Sequence, residues 1–540
     1  MLSTLLALLG VFLFVMGIWL VSYYNMKRRR KSYIHEKFGK IPKVKDWNDA
    51  VKGFYNIVND GSGIDDITWN DLSMNEVFQR IAQCDTSAGE EVLYWRLRRN
   101  RMSLEERQIF ERRVRTWSND EKEREKIELL LCDIGKGDAS YYIPDYLDSI
   151  ESYVLRSQWI YRVLQILLAA SFVAIPILPA DRALVPFVAM CSLNMAVYVW
   201  FNLKHTLELG LVGTAVSLLR NAKLISGKKG IAELFPELKG ALGELRGVIR
   251  GERILRIKKE NTISGDAAGA VLDYILGITL CQITTYNKVM KRLIGNMENY
   301  LTVYRCIGDL DVAISTASFR KSLLWSCTPE YTGEKKLGMK GMYHPLIKDP
   351  VANDLTLERS CLITGSNASG KSTFIKAAAV NAVLAQSINT CAARYFSMPQ
   401  AEVITSMAVK DDLMAGESYF IREIRYLKRI LESLTDERMT ICAIDEILRG
   451  TNTGERIRAS RAILEYLRDK NCIALVATHD KELTELLGDD YLNYHFSEEI
   501  GEDDIAFSYK IMEGPATSQN AVKLLEFAGF PEEIIEAAQE

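Results

Sequence analysis

Apolar residues fall along this chain in distinct patterns, and each pattern predicts a different kind of element. The first is an uninterrupted run. Leu5–Tyr24 contains no charged residue, and Lys27-Arg28-Arg29-Arg30-Lys31 follows almost at once. Such a run is long enough to span a bilayer core. The bias of basic residues toward the cytoplasmic side places the N-terminus outside. A cleaved signal peptide would carry its charges before the apolar run and small residues after it; here the order is reversed. A second apolar region, Trp159 to Phe201, breaks at Pro179-Ala180-Asp181-Arg182. It predicts two spans, Trp159–Leu178 and Ala183–Phe201, joined by a tight turn. Trp159, Tyr161, Tyr198 and Trp200 fall at ends that share one interface, as in an aromatic belt, and Arg162 is near enough to its end to snorkel. Gln165 and the prolines leave a buried hairpin of a soluble core as the alternative. By parity, Asn25–Gln158 and Asn202–Glu540 would share the cytoplasmic side.

The second pattern has helical period. Asp66–Arg98 places Leu72, Val77 and Phe78, then Leu93 and Leu97, at helical spacing. Asn70 or Asp71 is a candidate cap for one helix, Thr86 or Ser87 for the next. Ser103 with Glu106 makes a capping box. The dense charge from Glu105 to Lys126 reads as a solvated face. Beyond the hairpin the helical pattern continues through residues 203–330. Arg246, Arg250, Arg253 and Arg256 share one face, either a phosphate-binding stripe or, with Glu244, Glu252 and Glu260 interleaved, an ordinary solvated one. Asp266–Ser322 lacks proline and predicts one or two long helices.

The third pattern is the short apolar run of a buried strand. Ser360–Thr364, Met439–Ile444 and Cys472–Ala477 alternate with helical stretches such as Phe374–Gln386, which predicts a parallel α/β sheet covered on both faces. Candidate chemistry sits at the ends of these runs. Gly365-Ser366-Asn367-Ala368-Ser369-Gly370-Lys371-Ser372-Thr373 fits a P-loop, whose backbone N–H groups curl around phosphate oxygens. Lys371 would reach the β- and γ-phosphates, and the Ser372 hydroxyl would bind Mg²⁺. Asp445 and Glu446 end the second strand in the Walker B manner. Asp445 would hold Mg²⁺ and Glu446 would orient the attacking water. His479, after the third strand, is placed to contact the γ-phosphate. Ser418 opens a helical pattern whose N-terminus favours negative charge. ATP and Mg²⁺ are thus the implied cofactors.

Composition narrows the field. At 540 residues the chain has room for several cores. A net charge of −3 gives no global sign of a nucleic-acid binder. The ten cysteines form no CxxC pair, so a reducing compartment fits better than a disulfide framework.

Together these motifs resemble the MutS family of mismatch-repair ATPases, within the ABC ATPase class. The segment 365–373 resembles the family P-loop, and Asp411-Asp412-Leu413 through Glu423 resembles its signature segment, with Ser418 at the serine position. Asp445 through Thr453 resembles Walker B with the D-loop, and Ala477-Thr478-His479 the switch. Glu513-Gly514-Pro515-Ala516 through Glu533 resembles the closing helices. Upstream, Asp309-Leu310-Asp311 and His344-Pro345 resemble the entry to the ATPase domain, and Asp66–Leu97 the start of the helical core. The resemblance implies ATP hydrolysis and a homodimer through the ATPase domains, with Ser418 facing the other subunit's nucleotide. It implies double-stranded or branched DNA as a partner more weakly.

The departures are specific. The space before Asp66 is filled by the first apolar span, not by the family's mismatch-recognition domain. No β-rich clamp is legible in 203–330, the hairpin has no counterpart in the soluble family, and no tail follows Glu540. No aromatic that would stack on adenine stands out near Pro350-Val351-Ala352-Asn353. The expected organisation is an anchor at 1–25, a helical core at 26–158, a transmembrane hairpin at 159–202, a second helical part at 203–334 and a P-loop ATPase domain at 335–540. The expected protein is multi-pass in the cytoplasmic (inner) membrane with its ATPase domain in the cytoplasm, meeting the lipid bilayer and an unidentified repair or membrane protein. A DNA-linked ATPase, an ABC-type motor acting on the membrane or a protein without DNA, and a nucleotide-gated scaffold all fit this reading.

Overall fold

The structure, a computed structural model, describes residues 21, 24–44, 46–137, 140–141, 143, 150–155, 157–249, 274–366, 369–407, 419–500, 505–516 and 529–539. Most of the run Leu5–Tyr24 lies outside these residues. So do Arg250, Arg253, Arg256, Asn367, Ala368 and the stretch Asp411–Ser418.

The N-terminal half is helical among the described residues. Helix α1 covers residues 24–37. Short helices at Asp66–Asp71 and Met74–Ile81 precede α2 (Ser87–Arg99), α3 (Leu104–Asn119) and α4 (Glu121–Ile134). The caps differ in part from expectation. Asp65, not Asn70 or Asp71, caps the first short helix by accepting from Thr68 N at 2.7 Å. Asp71 is engaged elsewhere: its Oδ2 accepts from Thr405 Oγ1 at 2.7 Å and Met407 N at 3.1 Å, which docks the helical core on the sheet domain. Thr86 does cap α2, and the Ser103–Glu106 capping box is formed in both directions. The charged face of α3 and α4 is not wholly solvated. Arg113 and Arg124 are buried, Arg113 donating to Leu234 O and sitting 3.8 Å from the Phe235 ring centroid.

Helix α2 is buried along nearly its whole length, because it lies against the last and longest helix of this half. The hairpin helices α5 (Trp159–Ala174) and α6 (Ala180–Lys204) come first, then α7 (Thr206–Ser226), α8 (Cys281–Ile294) and that long helix, α9 (Met297–Ser322). Gly308 and Gly89 let α2 and α9 meet closely. A Cβ on Gly308 would stand 2.4 Å from Val92 Cγ2, and one on Gly89 2.4 Å from Asp311 Oδ2. Arg96 Nε donates to Asp309 Oδ1 at 2.8 Å across this seam. Burial opposes ionisation of Asp309, but the Arg96 and Arg113 guanidiniums hold its carboxyl below the usual range.

The hairpin leaves an apolar surface uncovered. Ile166, Val185 and Leu203 are 67%, 70% and 77% exposed. By length and composition one described helix, Arg182–Lys204, could cross a membrane; the 16-residue α5 is shorter than the expected Trp159–Leu178. Pro176 explains the early end, since it cannot donate within a helix. Two polar residues of the hairpin are turned inward: Gln165 Nε2 donates to Thr279 O at 2.8 Å and Asn194 Nδ2 to Ile278 O at 2.7 Å.

Among the described residues the C-terminal half holds two main sheets and a separate antiparallel pair of strands, Glu498–Ile500 with Ile505–Phe507. The strands are β1 (Glu330–Tyr331), β2 (Leu337–Met342), β3 (Asn353–Leu357), β4 (Cys361–Thr364), β5 (Tyr395–Met398), β6 (Ala401–Ser406), β7 (Met439–Asp445), β8 (Cys472–Ala477), β9 (Leu492–His495), β10 (Glu498–Ile500), β11 (Ile505–Phe507) and β12 (Met512–Glu513). The larger sheet has the order β12-β9-β4-β8-β7-β6 and is parallel from β9 to β6, with β12 antiparallel at its edge. A four-stranded mixed sheet, β1-β5-β2-β3, stands beside it and was not foreseen. Successive residues of β7 and β8 point to opposite faces. Ile441, Ala443, Ile473 and Leu475 pack in the cluster that holds helix α10 (Lys371–Ile388). Cys442, Ile444, Ala474 and Val476 pack with Leu464 and Leu467 of helix α12 (Thr453–Arg468); helix α11 (Tyr419–Ser433) adds Leu427 and Ile430.

A second tie between the halves is made at the far end of α9. Arg320, near the end of α9, donates to Thr390 Oγ1 and Asn389 O just beyond α10, and bidentately to Glu111 of α3.

Candidate nucleotide site

The site is built where parallel strands end and helices begin. β4 stops at Thr364, the chain turns through Gly365 to Gly370, and α10 starts at Lys371. The turn needs glycine at both ends. Gly365 has φ 142° and Gly370 φ 109°, and a Cβ on Gly365 would meet Phe496 O at 2.7 Å. Lys371 Nζ donates to Gly365 O and Ser366 O at 2.7 Å each, so the ammonium sits inside the turn. Ser369 Oγ closes the same loop on Ser366 O at 2.8 Å. Ser372 and Thr373 lie in the first turn of α10, half-buried and exposed. Backbone donors, a helix N-terminus and a held ammonium are what a phosphate chain requires.

The neighbouring strands bring the acids and the imidazole to the same edge. In the order β4-β8-β7, only β8 separates the P-loop strand from Asp445. Glu446 N donates to Ala477 O at 2.9 Å, locking the two strand ends together. His479 Nε2 lies 2.7 Å from Glu446 Oε1, and Arg449 Nε 3.0 Å from Glu446 Oε2. The imidazole hydrogen bond, helped by the charge of Arg449 and Lys371 and opposed by burial, holds the Glu446 carboxyl below the usual carboxylate range. Glu446 and Leu448 have φ of 63° and 54°, a costly conformation for side chains of this size and one that clusters at functional sites. Glu423 of α11 braces this turn, accepting from Arg449 N at 2.9 Å and Gly450 N at 3.3 Å.

Ser372 Oγ and the Asp445 carboxylate offer the hard oxygen donors that Mg²⁺ takes. Asn367, Ala368 and Ser418 lie outside the described residues, so their positions add nothing to this geometry.

A feature that sequence reasoning missed adjoins the P-loop. A cavity of about 210 Å³ is lined by His344, Pro350, Gly370, Thr373, Phe496 and Tyr509, among others. Tyr509 lies against Gly370, whose Cβ would stand 3.1 Å from Tyr509 Cδ1. Asn353 fixes that segment: its Nδ2 donates to Tyr509 O at 3.0 Å and its Oδ1 accepts from Ile511 N at 2.9 Å. Tyr509, an aromatic in the cavity wall, comes from a segment far along the chain from Pro350, so no local pattern could reveal it.

Comparison with known proteins finds partial matches. A protein named "DNA mismatch repair protein MutS 2" from Halobacterium salinarum is 32% identical over 265 residues, covering 47% of this chain and 30% of the relative. "DNA mismatch repair protein MutS" from Thermus thermophilus is 30% identical over 240 residues, 44% of this chain and 29% of that protein. The namesake from Thermotoga petrophila is 30% identical over 272 residues, 47% of this chain and 33% of that protein. The chain thus spans about a third or less of the length of these curated relatives. The family model that matches is MutS domain V, and it matches residues 361–540, the part of the chain that contains every strand end and turn of the site.

Proposed function

We propose that this protein is a membrane-anchored, MutS-like ATPase that works as a homodimer and couples ATP turnover to double-stranded or branched DNA. The observation that carries this reading is the convergence of the Lys371 turn, Asp445 and the Glu446–His479 pair at one edge of a parallel sheet. In this reading the turn 365–370 and Lys371 bind the phosphates, and the cavity beside Tyr509 takes the base. Ser372 and Asp445 hold Mg²⁺, which when bound neutralises charge on the phosphates. Glu446 orients water by accepting its hydrogen bond. Its depressed basicity suits positioning better than proton abstraction. His479 holds the carboxylate and offers its imidazole to the terminal phosphate.

In this reading the turn, Asp445, Glu446 and His479 of one chain cradle one side of the phosphates, and the outer face is left to a second chain. Ser418 of a second copy is the proposed cover, which makes two composite sites per dimer. Lys371→Ala and Ser418→Arg, each inactive alone, should then regain part of the ATPase activity when mixed, since one site of the heterodimer carries neither lesion. If mixing restores nothing while subunits exchange and remain folded, the shared-site reading fails.

The uncovered apolar surface of α5 and α6 supports the anchor and the inner-membrane location. It also favours a second reading, in which the motor acts on the membrane or on a membrane partner without DNA. Duplex binding with a steep log–log salt dependence supports the first reading, and its absence at physiological salt supports the second.

A further inference from the structure

Away from the nucleotide site, one cluster of metal-type donors occurs among the described residues: His35 on α1 with Glu121 and Glu125 on α4. Its construction is tertiary. α1 is pinned at Arg30, whose Nη1 lies 2.7 Å from Asp133 Oδ1 of α4, and at Lys37, whose Nζ lies 3.2 Å from Glu128 Oε1 of α4 and 2.6 Å from Asp85 Oδ1. Between these pins, His35 Nδ1 lies 3.1 Å from Glu121 Oε1 and 3.1 Å from Glu125 Oε1, and all three donor atoms fall within 4.8 Å of one another.

Two facts make this more than a surface ion pair. A single Nδ1–H can be given fully to one acceptor, yet two carboxylate oxygens stand at equal distance from it. The spacing also fits a coordination shell. Donors bonded at about 2.0–2.1 Å around one cation lie roughly 3.0–3.4 Å apart at neighbouring positions. Two cations already border these carboxylates, Lys31 Nζ at 3.4 Å from the other oxygen of Glu125 and Arg124 Nη2 at 3.8 Å from Glu121 Oε1, so a bound dication would compete with them. Glu125 is nearly buried, with 12% of its side chain exposed, while His35 and Glu121 face water, which can complete the shell.

We infer that His35, Glu121 and Glu125 form a binding site for a first-row divalent cation of the manganese or zinc class, clasping α1 to α4. An imidazole with two carboxylates selects these ions over Mg²⁺, which prefers oxygen donors alone. Two carboxylates and a neutral imidazole would balance a double positive charge. The site sits four residues after the basic run that ends at Lys31, so cation binding would fix the segment through which any N-terminal anchor reaches the helical core.

The test uses the full chain in detergent, stripped with chelator and free of nucleotide, so that it does not depend on the proposed ATPase. Mn²⁺ is the probe, because the ten cysteines would also take Zn²⁺. Loss of the free Mn²⁺ paramagnetic signal should report one tight site per chain with micromolar affinity. His35→Ala and Glu125→Gln should each weaken it roughly tenfold or more, at least the effect of disturbing a ligand's outer partner. Mn²⁺ should also slow tryptic cleavage at Lys27–Lys31 in the parent chain and not in His35→Ala. The inference is overturned if the parent chain takes up no Mn²⁺ in this range. It is equally overturned if uptake is unchanged in both variants, which would put the ion elsewhere.

Discussion

Glu446 Oε1 and His479 Nε2 face each other at 2.7 Å across the ends of adjacent strands. The imidazole hydrogen bond is the main reason the carboxyl is held low. Removing it should raise that pKa. The Glu446 carboxylate would then protonate at higher pH, so the acid limb of ATPase activity should move upward in His479→Ala. A pH profile of kcat/KM for both proteins checks the sign. A limb that stays put would mean another group limits activity in acid.

Glu446→Gln should keep nucleotide binding and slow turnover on the order of 10²–10⁴-fold, the usual range for a positioned general base or water-orienting group. Lys371→Ala should instead weaken nucleotide binding, because it removes the ammonium held in the phosphate turn. Equilibrium binding and single-turnover hydrolysis separate the two effects.

Tyr509→Ala should weaken ATP binding by about 1–3 kcal/mol, the usual worth of one base–aromatic stack. Tyr509→Phe should bind nearly as well as the parent, since stacking needs the ring and not the hydroxyl. Titration with a fluorescent adenine nucleotide distinguishes a stacking residue from a spectator.

His344, in the wall of the same cavity, has its imidazole pushed down to about 4 by burial, with Lys376 adding to the effect. The folded protein therefore keeps it neutral, while the unfolded chain takes up a proton near the ordinary value of about 6.5. Stability should fall as pH drops from about 6.5 toward 4, by up to about 3 kcal/mol from this group. His344→Gln should flatten the acid side of the Tm–pH curve.

The exposed apolar surface of α5 and α6 should keep the protein in membranes through carbonate extraction. Recovery in the supernatant would show that protein, not lipid, covers that surface.

How much was legible follows from how local each signal is. The P-loop, the strand ending at Asp445 and the strand before His479 announce themselves through contiguous residues, and so do the Thr86 and Ser103 caps. The mixed sheet was not legible, because β1 is only two residues long and pairs with β5 far along the chain. Arg113 looked like surface charge because its partner Leu234 O lies far along the chain, and Arg124 because the Phe38 ring it packs on, with its centroid 3.5 Å from the guanidinium, lies far back in it. Tyr509 was missed for the same reason: its nearness to Gly370 is a property of the fold, not of any window of sequence.

Arg320 gives the fold a mechanical property. It grips the residues just past α10 with one side of its guanidinium and α3 with the other. It lies in the last turn of α9, which is pressed onto α2 with no room for even a methyl group at Gly308. Close-packed interiors of this kind have little compliance. If the phosphate turn moves on binding nucleotide, a joint this stiff would be expected to pass the displacement along α10 to the far helices, and the two halves would then respond at one rate.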